Sequence, residues 1–362
     1  MASAKTPIAA GWKSHQHILW VECPFLDAVA EFAVVDRAIP AHLQTPLQVG
    51  SLILHSRVLQ SPLAGVSDRS FRQLVRRSAP QSLIFAEMAH AGLQLEGRDR
   101  WEFLPHEQPI GAQLFGDQPE ILAAAAQQAE AAGAACIDLN MGCPVNKVTR
   151  KRGGSALLRE PELAIAIVQA VAAAVSIPVT VKTRLGWEQV TILDFAQQLE
   201  AAGAQLLTLH GRSRSQGYSG QADWNWITRV KSRLSIPVIA NGDINSPADA
   251  IACLQQTGAD GVMCGRGSLG NPGLVGAIDR SLKTGEQTPE LELRDRLQLA
   301  REHLLLLWED KGAAGLLQAR KHLGWYLADQ PDYQDLRQHL LRSEDLSQSL
   351  DLLDAAIASV VC

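Results

Sequence analysis

Short runs of apolar and β-branched residues alternate with longer stretches of helical periodicity between residues 57 and 281. Such alternation is typical of repeated β/α units, in which a buried parallel strand leads into a helix that covers it. Eight strands are predicted, at residues 58–61, 83–86, 110–114, 136–139, 179–182, 206–210, 238–240 and 261–264. Eight units in this length predict an α/β protein with a (β/α)8 TIM barrel, and a doubly wound open sheet is the alternative.

The joints between these units repeat along the chain. Gly-Ala steps that begin at Gly133, Gly203 and Gly258 precede three of the predicted strands, where glycine supplies a left-handed helix C-cap. The tetrapeptide Ser-Ile-Pro-Val stands at residues 176–179 and 235–238. Proline suits the start of a strand because it donates no ladder hydrogen bond. The repeated joints therefore support the barrel.

The pattern changes after residue 285. Leucines recur at helical intervals over residues 289–308, 316–327 and 346–361, and no strand pattern remains. We expect a barrel over residues 46–285 followed by an all-helical domain over residues 286–362. Residues 1–45 lack periodicity and carry three prolines, which predicts an N-terminal extension that is partly disordered.

The amino-acid composition excludes several classes of protein. The 362 residues are 46% hydrophobic and 20% charged, enough for a large core. A net charge of −5 argues against a surface coated in positive charge that grips nucleic acid everywhere, but leaves room for a local basic patch. The six cysteines form no pair or cluster with metal-ligand spacing. With no signal peptide and no membrane-length apolar stretch, we expect a cytoplasmic protein without a metal site.

The active site of a barrel lies at the C-terminal ends of its strands, so the residues that follow each predicted strand are candidates. The small residues Pro62, Leu63 and Ala64 follow the first strand and allow a flat ligand to approach the backbone, although a plain tight turn has the same composition. Gln113 lies at the end of the third strand, and its amide suits the edge of a heterocycle.

Two basic side chains lie at the ends of neighbouring strands. Lys182 ends the fifth strand, where an ammonium without an anionic partner is costly to bury. It indicates either a salt bridge inside the barrel or a cation beneath an electron-rich cofactor, and we favour the cofactor. His210 ends the sixth strand, so it lies at the same end of the predicted barrel.

Cys143 lies in the segment Asn140-Met-Gly-Cys-Pro144, after the fourth strand. The turn-forming neighbours hold it rigidly at the catalytic end of the strand. Cys136, Cys253 and Cys264 lie instead in apolar runs or helices, where cysteine is commonly a small buried hydrophobe. We therefore expect Cys143 to face a ligand.

Glycine-containing loops follow the seventh and eighth strands. The seventh leads into Asn241, Gly242 and Asp243, and the eighth into Gly265 and Arg266. In this fold, loops at these two positions commonly bind phosphate through backbone N–H groups and a helix N-terminus. Together with the flat site near strand one, they predict a heterocycle with a phosphate tail, which fits FMN.

Basic residues cluster near the predicted catalytic loops and in the helical region. They are Lys147, Arg150, Lys151, Arg152, Arg212, Arg214, Arg320 and Lys321. Such a run is most often a solvated face. Beside a catalytic cysteine, and interleaved with aromatic residues, it also suits a structured RNA whose backbone is held while one base is splayed out. We interpret it as an RNA-binding surface.

Several segments together resemble the tRNA-dihydrouridine synthase family. They are residues 61–68 (SPLAGVSD), 140–144 (NMGCP), 147–158, 210–212 (HGR), 241–243 (NGD) and 265–266 (GR). The bacterial B-type branch is the most similar, through residues 147–158 and 320–326 (RKHLGWY). The resemblance covers residues 46–330. The family commonly has Met where this chain has Leu63, a volume-conserving change, and residues 1–45 match nothing in it.

The resemblance implies an FMN-dependent barrel that uses NADPH to reduce a uridine in the tRNA D-loop to 5,6-dihydrouridine. Cys143 would be the general acid: hydride reaches C6 of uracil, and a thiol that is mostly protonated at neutral pH protonates C5. FMN would contact Pro62, Leu63, Ala64, Gln113, Lys182, His210, Asn241, Gly242, Asp243, Gly265 and Arg266. We expect a monomer that works with tRNA and NADPH, without a membrane.

Two other functions remain open from the residues alone. An FMN enzyme that acts on a free pyrimidine, such as a dihydropyrimidine or dihydroorotate oxidoreductase, would share the barrel and the phosphate site but would not need the basic loop or the helical domain. A flavin-free RNA-binding protein with a degenerate site is the other alternative.

Overall fold

The structure is a computed structural model, and it describes residues 39–97, 101–286 and 291–360. Most of the expected N-terminal extension, together with Cys23 and Cys362, lies outside the described residues. Residues 39–45 are described, and they include a short 3-10 helix, Ala41–Gln44. Leu43 of this helix packs into the barrel core, and Arg57 donates hydrogen bonds to the carbonyl oxygens of His42 and Thr45 at 2.6 and 2.9 Å.

Eleven strands form in the described chain. They are β1 (Leu47–Val49), β2 (Leu52–Leu54), β3 (Val58–Gln60), β4 (Ile84–Phe85), β5 (Ala89–His90), β6 (Ile110–Phe115), β7 (Cys136–Met141), β8 (Val179–Arg184), β9 (Leu206–His210), β10 (Val238–Asn241) and β11 (Gly261–Cys264). Eight pair in parallel in the order β3-β11-β10-β9-β8-β7-β6-β4, and β5 adds to the end of β6. The Gln60 N–H donates to the Leu83 carbonyl at 3.0 Å and joins the two ends of this order. The predicted (β/α)8 barrel is confirmed, and the open sheet is excluded.

All eight predicted strands are present, but four of them, β6, β7, β8 and β10, extend further than the sequence predicts. Parallel pairing continues through Asn140 opposite Lys182, Met141 opposite Thr183, and Arg184 opposite His210. Among these positions, the polar residues Asn140 and Arg184 resemble residues that follow a strand in the sequence, whereas in the structure both lie within strands and line the cavity at the barrel mouth.

The helices that cover the barrel are α1 (Arg69–Ser78), α2 (Ala91–Leu95), α3 (Pro119–Ala131), α4 (Asn146–Thr149), α5 (Pro161–Ala174), α6 (Ile192–Ala201), α7 (Trp224–Lys231), α8 (Pro247–Thr257) and α9 (Leu274–Thr284). The three predicted glycine caps are confirmed, because Gly133, Gly203 and Gly258 have φ values of +95°, +111° and +63°. Short caps of this kind turn each helix back into the next strand and so fix where each strand ends.

An antiparallel hairpin, β1 paired with β2, closes the N-terminal end of the barrel. Its side chains Leu47, Val49 and Leu54 pack with strand residues such as Leu59 and Phe85. This hairpin was not predicted, because strands of three residues are too short for a period-two pattern to stand out. The floor of the barrel is thus apolar, and polar side chains are left for the opposite end.

Four further helices follow the barrel, namely α10 (Leu293–Lys311), α11 (Ala313–Tyr326), α12 (Gln334–Arg342) and α13 (Leu346–Ser359). They enclose a hydrophobic core of their own. Helix α12 was not predicted, because only Leu340 of its nine residues is buried. Pro289, where the first of these helices was expected to begin, lies outside the described residues. No helix of the described chain is long and apolar enough to cross a membrane.

Candidate active site

A cavity of about 370 Å³ opens at the C-terminal ends of the barrel strands. Its lining includes all of the residues that the sequence predicted for the cofactor and for catalysis: Pro62, Leu63, Ala64, Gln113, Cys143, Lys182, His210, Asn241, Gly242, Asp243, Gly265 and Arg266. Residues as far apart in sequence as Pro62 and Arg266 thus meet around one space, whose volume suits a small-molecule ligand.

A chain of hydrogen bonds runs across the barrel mouth to the loop that carries Cys143. The buried Asp138 carboxylate accepts from Thr180 Oγ1 at 2.6 Å and from Gln113 Nε2 at 2.7 Å. Gln113 Oε1 accepts from Asn140 Nδ2 at 2.9 Å. Asn140 Oδ1 then accepts the backbone N–H of Cys143 at 2.9 Å. The position of Cys143 is therefore set by a network of buried polar side chains rather than by its loop alone.

Cys143 is only half-buried at the edge of the cavity. Burial nevertheless raises the pKa of its thiol above the ordinary value, against the smaller opposing effects of the Val145 backbone N–H and of the Arg184 and Lys182 charges. A raised pKa keeps the thiol protonated at neutral pH. Cys143 is thus equipped to donate a proton and poorly suited to act as a thiolate nucleophile.

Lys182 donates from Nζ to Asn241 Oδ1 at 2.8 Å, and Asn241 Nδ2 donates in turn to the Met263 carbonyl at 2.9 Å. Burial, followed by the charge of Arg184, lowers the pKa of Lys182 to about 8. No carboxylate among the described residues lies within salt-bridge distance of Lys182, so the interior ion pair considered as its alternative role does not form.

Arg184 also lines the cavity and was missed by the sequence analysis. Its Nε donates to the Gly142 carbonyl at 2.8 Å, and its Nη1 donates to the Gly217 carbonyl at 2.7 Å. Thr180, Lys182 and Arg184 alternate along β8, so all three face the interior. This period-two alternation of polar residues is the signal that could have identified Arg184, just as Asp138 and Asn140 alternate along β7.

The loops after β10 and β11 meet at one side of the cavity. Gly242 has φ of +113° and Asp243 has φ of +58°, both in the left-handed region. A Cβ on Gly267 would lie 2.6 Å from the Ile244 carbonyl oxygen, so the second loop requires glycine to approach the first. Among the described residues, no hydrogen bond uses the backbone N–H groups of Gly242, Asp243, Gly265 or Arg266. These donors suit a phosphate.

Arg212, which the sequence analysis assigned to RNA, is buried, with only 2% of its side chain exposed. Its Nη2 donates to both carboxylate oxygens of Asp243 at 2.8 Å, and its Nε donates to the Ser219 carbonyl at 3.2 Å. The guanidinium is therefore committed to the loops inside the protein. A buried guanidinium does not fit an RNA contact. The sequence alone does not reveal that this charged residue is buried.

His210 lies beside Arg212, and burial with four surrounding cations lowers its pKa well below the ordinary value. The imidazole is therefore neutral at physiological pH. Its Nε2 accepts from Arg212 Nη1 at 3.2 Å, which leaves the Nδ1–H as a donor for a ligand. A Cβ on Gly242 would lie 2.8 Å from His210 Cδ2, so this histidine packs directly on the loop after β10.

The other basic residues expected to contact RNA lie in separate places. Lys147, Arg150 and Lys151 are exposed on and after α4, next to the Cys143 loop. Arg152 is exposed and forms an ion pair with Glu160. Arg320 and Lys321 lie on α11: Arg320 Nε donates to the Ser343 carbonyl at 2.9 Å, and Lys321 donates to the Gly65 carbonyl.

Helix α11 also reaches the cavity. Trp325 lines it, although the sequence analysis had assigned no cofactor role to that residue. Lys321 holds the carbonyl of Gly65, and Glu87 accepts the N–H of the same glycine. The loop after β3 is thus held by the helical segment on one side and by the barrel on the other. No pattern in the sequence indicates which loop α11 contacts.

The fold and the site define a barrel enzyme with a polar cavity at the C-terminal ends of its strands. Among solved structures, histamine dehydrogenase from Rhizobium sp. 4-9 is similar with a TM-score of 0.52 and 17% identity, covering 74% of this chain and 51% of that one. This likeness concerns the barrel fold alone. Residues 59–361 match the family described as dihydrouridine synthase. The chain belongs to the dihydrouridine synthase family, as the sequence motifs predicted.

Relatives within the family match along most of their length. A probable tRNA-dihydrouridine synthase 1 from Synechocystis sp. is 56% identical over 319 residues, which cover 87% of this chain and 90% of the relative. The tRNA-dihydrouridine synthase B of Pseudomonas aeruginosa is 40% identical over 324 residues, with 87% and 94% covered. A probable tRNA-dihydrouridine synthase of Rickettsia bellii is 41% identical over 298 residues, with 80% and 91% covered.

Proposed function

We propose that this protein is a cytoplasmic tRNA-dihydrouridine synthase that uses FMN and NADPH to reduce a uridine of the tRNA D-loop. The observation that carries the proposal is the meeting of a protonated thiol, Cys143, with a buried cation, Lys182, in one cavity that also has free phosphate donors. Membership of the dihydrouridine synthase family supports the same reaction.

The cavity residues fit FMN by their donor set. Unengaged backbone N–H groups at residues 242–243 and 265–266, with Arg266 beside them, suit a terminal phosphate. Gln113 and Lys182 offer polar groups to a heterocycle, and Pro62, Leu63 and Ala64 offer a surface without bulky side chains. Bound FMN would supply hydride that originates from NADPH.

The chain's own residues supply the proton and the orientation. Reduction of the uracil C5=C6 bond adds hydride at C6, and negative charge then develops toward C5 and the C4 carbonyl. Cys143 donates its Sγ proton to C5, and the Asn140 amide fixes the position of the thiol through the Cys143 N–H. The Lys182 and Arg184 cations lower the cost of negative charge in the cavity.

The target base must leave its stack to enter a cavity of this size, at a cost of a few kcal/mol. The exposed cations Lys147, Arg150 and Lys151 lie on the loop beside Cys143 and would offset that cost through phosphate contacts. These residues, unlike Arg212, are placed to meet a large polyanion.

The test is incubation of the purified flavin-containing protein with NADPH and either unmodified tRNA or a free pyrimidine. We expect oxidation of NADPH to depend on tRNA and to leave free uracil and orotate unreduced. Reduction of free pyrimidines, with tRNA inert, would instead assign the protein to the small-molecule oxidoreductases.

A further inference from the structure

Two arginines lie against one tryptophan at the catalytic end of the barrel. The guanidinium carbon of Arg214 is 4.4 Å from the Trp187 ring centroid, and that of Arg159 is 5.2 Å away. The three residues come from three different loops, which follow β7, β8 and β9. We refer to Arg159, Trp187 and Arg214 as the Trp187 clamp.

The loops that carry the clamp are tied together by backbone hydrogen bonds. The Arg214 N–H donates to the Gly186 carbonyl at 2.8 Å, and the Ser215 N–H donates to the Trp187 carbonyl at 2.9 Å. Arg214 Nη2 also lies 3.4 Å from Asn146 Oδ1, at the start of α4. The Trp187–Arg214 pair is therefore built into two joined loops, and the exposed Arg159 side chain adds to it.

The clamp carries two guanidinium charges, and the nearby Glu160, whose pKa is lowered by Arg152 and then by Arg159, forms its ion pair with Arg152. Among the described residues, no carboxylate forms a salt bridge with Arg159 or Arg214. Arg214 Nε is buried and has no hydrogen-bond partner there. Two guanidinium groups against one ring repel each other, so a bound anion would relieve this repulsion and satisfy the free donors.

The clamp lies close to the cavity along the chain. Trp187 follows the cavity residue Arg184 by three positions, and Arg214 follows the cavity residue His210 by four. At about 3.3 Å per residue, the chain places the clamp no more than roughly 10–13 Å from the cavity lining. An anion bound there is therefore near a base bound in the cavity.

We propose that the Trp187 clamp binds a backbone phosphate of the RNA substrate, next to the uridine that enters the cavity. The proposal rests on the proposed function and names a recognition site within it. Two guanidinium groups can each donate a pair of hydrogen bonds to a phosphate. Trp187 holds both groups in place before the RNA binds, which reduces the conformational entropy lost on binding. The clamp thereby helps to hold the strand while its base is unstacked.

The test compares four variants with wild type: Arg159→Gln, Arg214→Gln, Trp187→Leu and Trp187→Phe. Arg229→Gln is the matched control, because Arg229 lies 4.6 Å from the Trp226 ring on the outer helix α7. The dissociation constant for an unmodified tRNA transcript is measured over a salt series, and flavin absorbance reports whether each variant keeps its cofactor site.

Each arginine variant is expected to raise the tRNA dissociation constant by about 3–10-fold and to reduce the salt slope by about one. Trp187→Leu is expected to weaken binding similarly, whereas Trp187→Phe retains most affinity because phenylalanine still accepts a cation–π contact. Flavin content and the Arg229→Gln control should match wild type.

Wild-type tRNA affinity and salt slope in both arginine variants would overturn the clamp proposal while leaving the proposed function intact, provided that the wild-type protein makes dihydrouridine. A wild-type protein that neither binds nor reduces tRNA would overturn the proposed function and the clamp together.

Discussion

Among individual side chains, Cys143 carries the most direct prediction. Cys143→Ala is expected to keep its flavin and to form dihydrouridine about 10²–10⁴-fold more slowly, because the proton donor to C5 is lost. Single-turnover measurement with prereduced enzyme isolates this step from cofactor reduction. Cys253→Ala, on the outer helix α8, is the control for loss of a buried thiol. Full activity in Cys143→Ala would exclude the assigned role.

The sequence could identify a residue of this site only where that residue lies at the end of a strand that the sequence pattern reveals. Pro62, Cys143 and Lys182 were predicted because each lies at the C-terminal end of a recognisable strand. Arg184 was missed because β8 extends beyond its apolar run, and Trp325 was missed because it comes from a helix packed over the cavity. The burial of Arg212 was not foreseen, because a charged residue in a loop gives no sign of burial in the sequence.

Where loops and strands meet, the ion pair between Arg212 and Asp243 links the segment after β9 to the phosphate loop after β10. Asp243 is held in the left-handed region, at φ of +58°. Arg212→Met is expected to weaken FMN binding by about 10-fold or more, because the partly buried Asp243 carboxylate loses its bidentate partner and the loop relaxes. Fluorescence titration of the apoprotein with FMN measures this change.

A matched comparison is Arg266→Met, since Arg266 is 46% exposed and lies 3.8 Å from the same carboxylate. If Asp243 is held chiefly by Arg212, the loss of Arg266 will weaken FMN binding less. An Arg212→Met protein that binds FMN as wild type does would show that the loop holds its shape without this ion pair.

A helix or strand could be predicted where its hydrophobic pattern extends over enough residues to be recognised in the sequence. The eight barrel strands and the glycine caps follow from apolar runs and turn residues. The hairpin β1–β2 and helix α12 do not, because a three-residue strand and a helix with one buried leucine depend on contacts with distant parts of the chain. The closure at Gln60 and Leu83 likewise depends on tertiary structure.

Across the whole molecule, two buried histidines join the helical segment to the barrel. The rings of His303 and His322 lie 4.3 Å apart, and both lie near Phe71 of α1 at 6.1 and 6.4 Å. Burial lowers the pKa of His303 to about 4 and that of His322 to about 2. Below pH 6.5 the unfolded chain therefore binds more protons than the folded one, and stability falls as the pH is lowered.

Lowering the pH from 7 to 5 is expected to reduce the free energy of unfolding by about 2 kcal/mol for each imidazole. The melting temperature should therefore be lower at pH 5 than at pH 7. His322→Phe removes one titrating ring and keeps an aromatic contact with Phe71, so it should reduce this pH dependence. His106→Gln, at an exposed position, should leave it unchanged. An unaltered pH dependence in His322→Phe would mean that other groups cause the acid sensitivity.

The overall charge of −5 does not describe the local surface beside the cavity, where Lys147, Arg150 and Lys151 are exposed next to the Cys143 loop. A local basic surface beside a cavity is sufficient to position an RNA strand, while the rest of the protein remains acidic. Net charge therefore indicates how strongly a protein binds nucleic acid non-specifically, but it does not indicate whether a local surface recognises a particular RNA.

The central claim is that the cavity reduces a uridine within tRNA, and mass spectrometry of the RNA product tests it most directly. After incubation of an unmodified tRNA transcript with the protein, FMN and NADPH, the nuclease fragment that contains the D-loop is expected to gain the mass of two hydrogen atoms. That gain should require NADPH and be lost in Cys143→Ala. An unchanged transcript after treatment with flavin-loaded protein and NADPH would contradict the account.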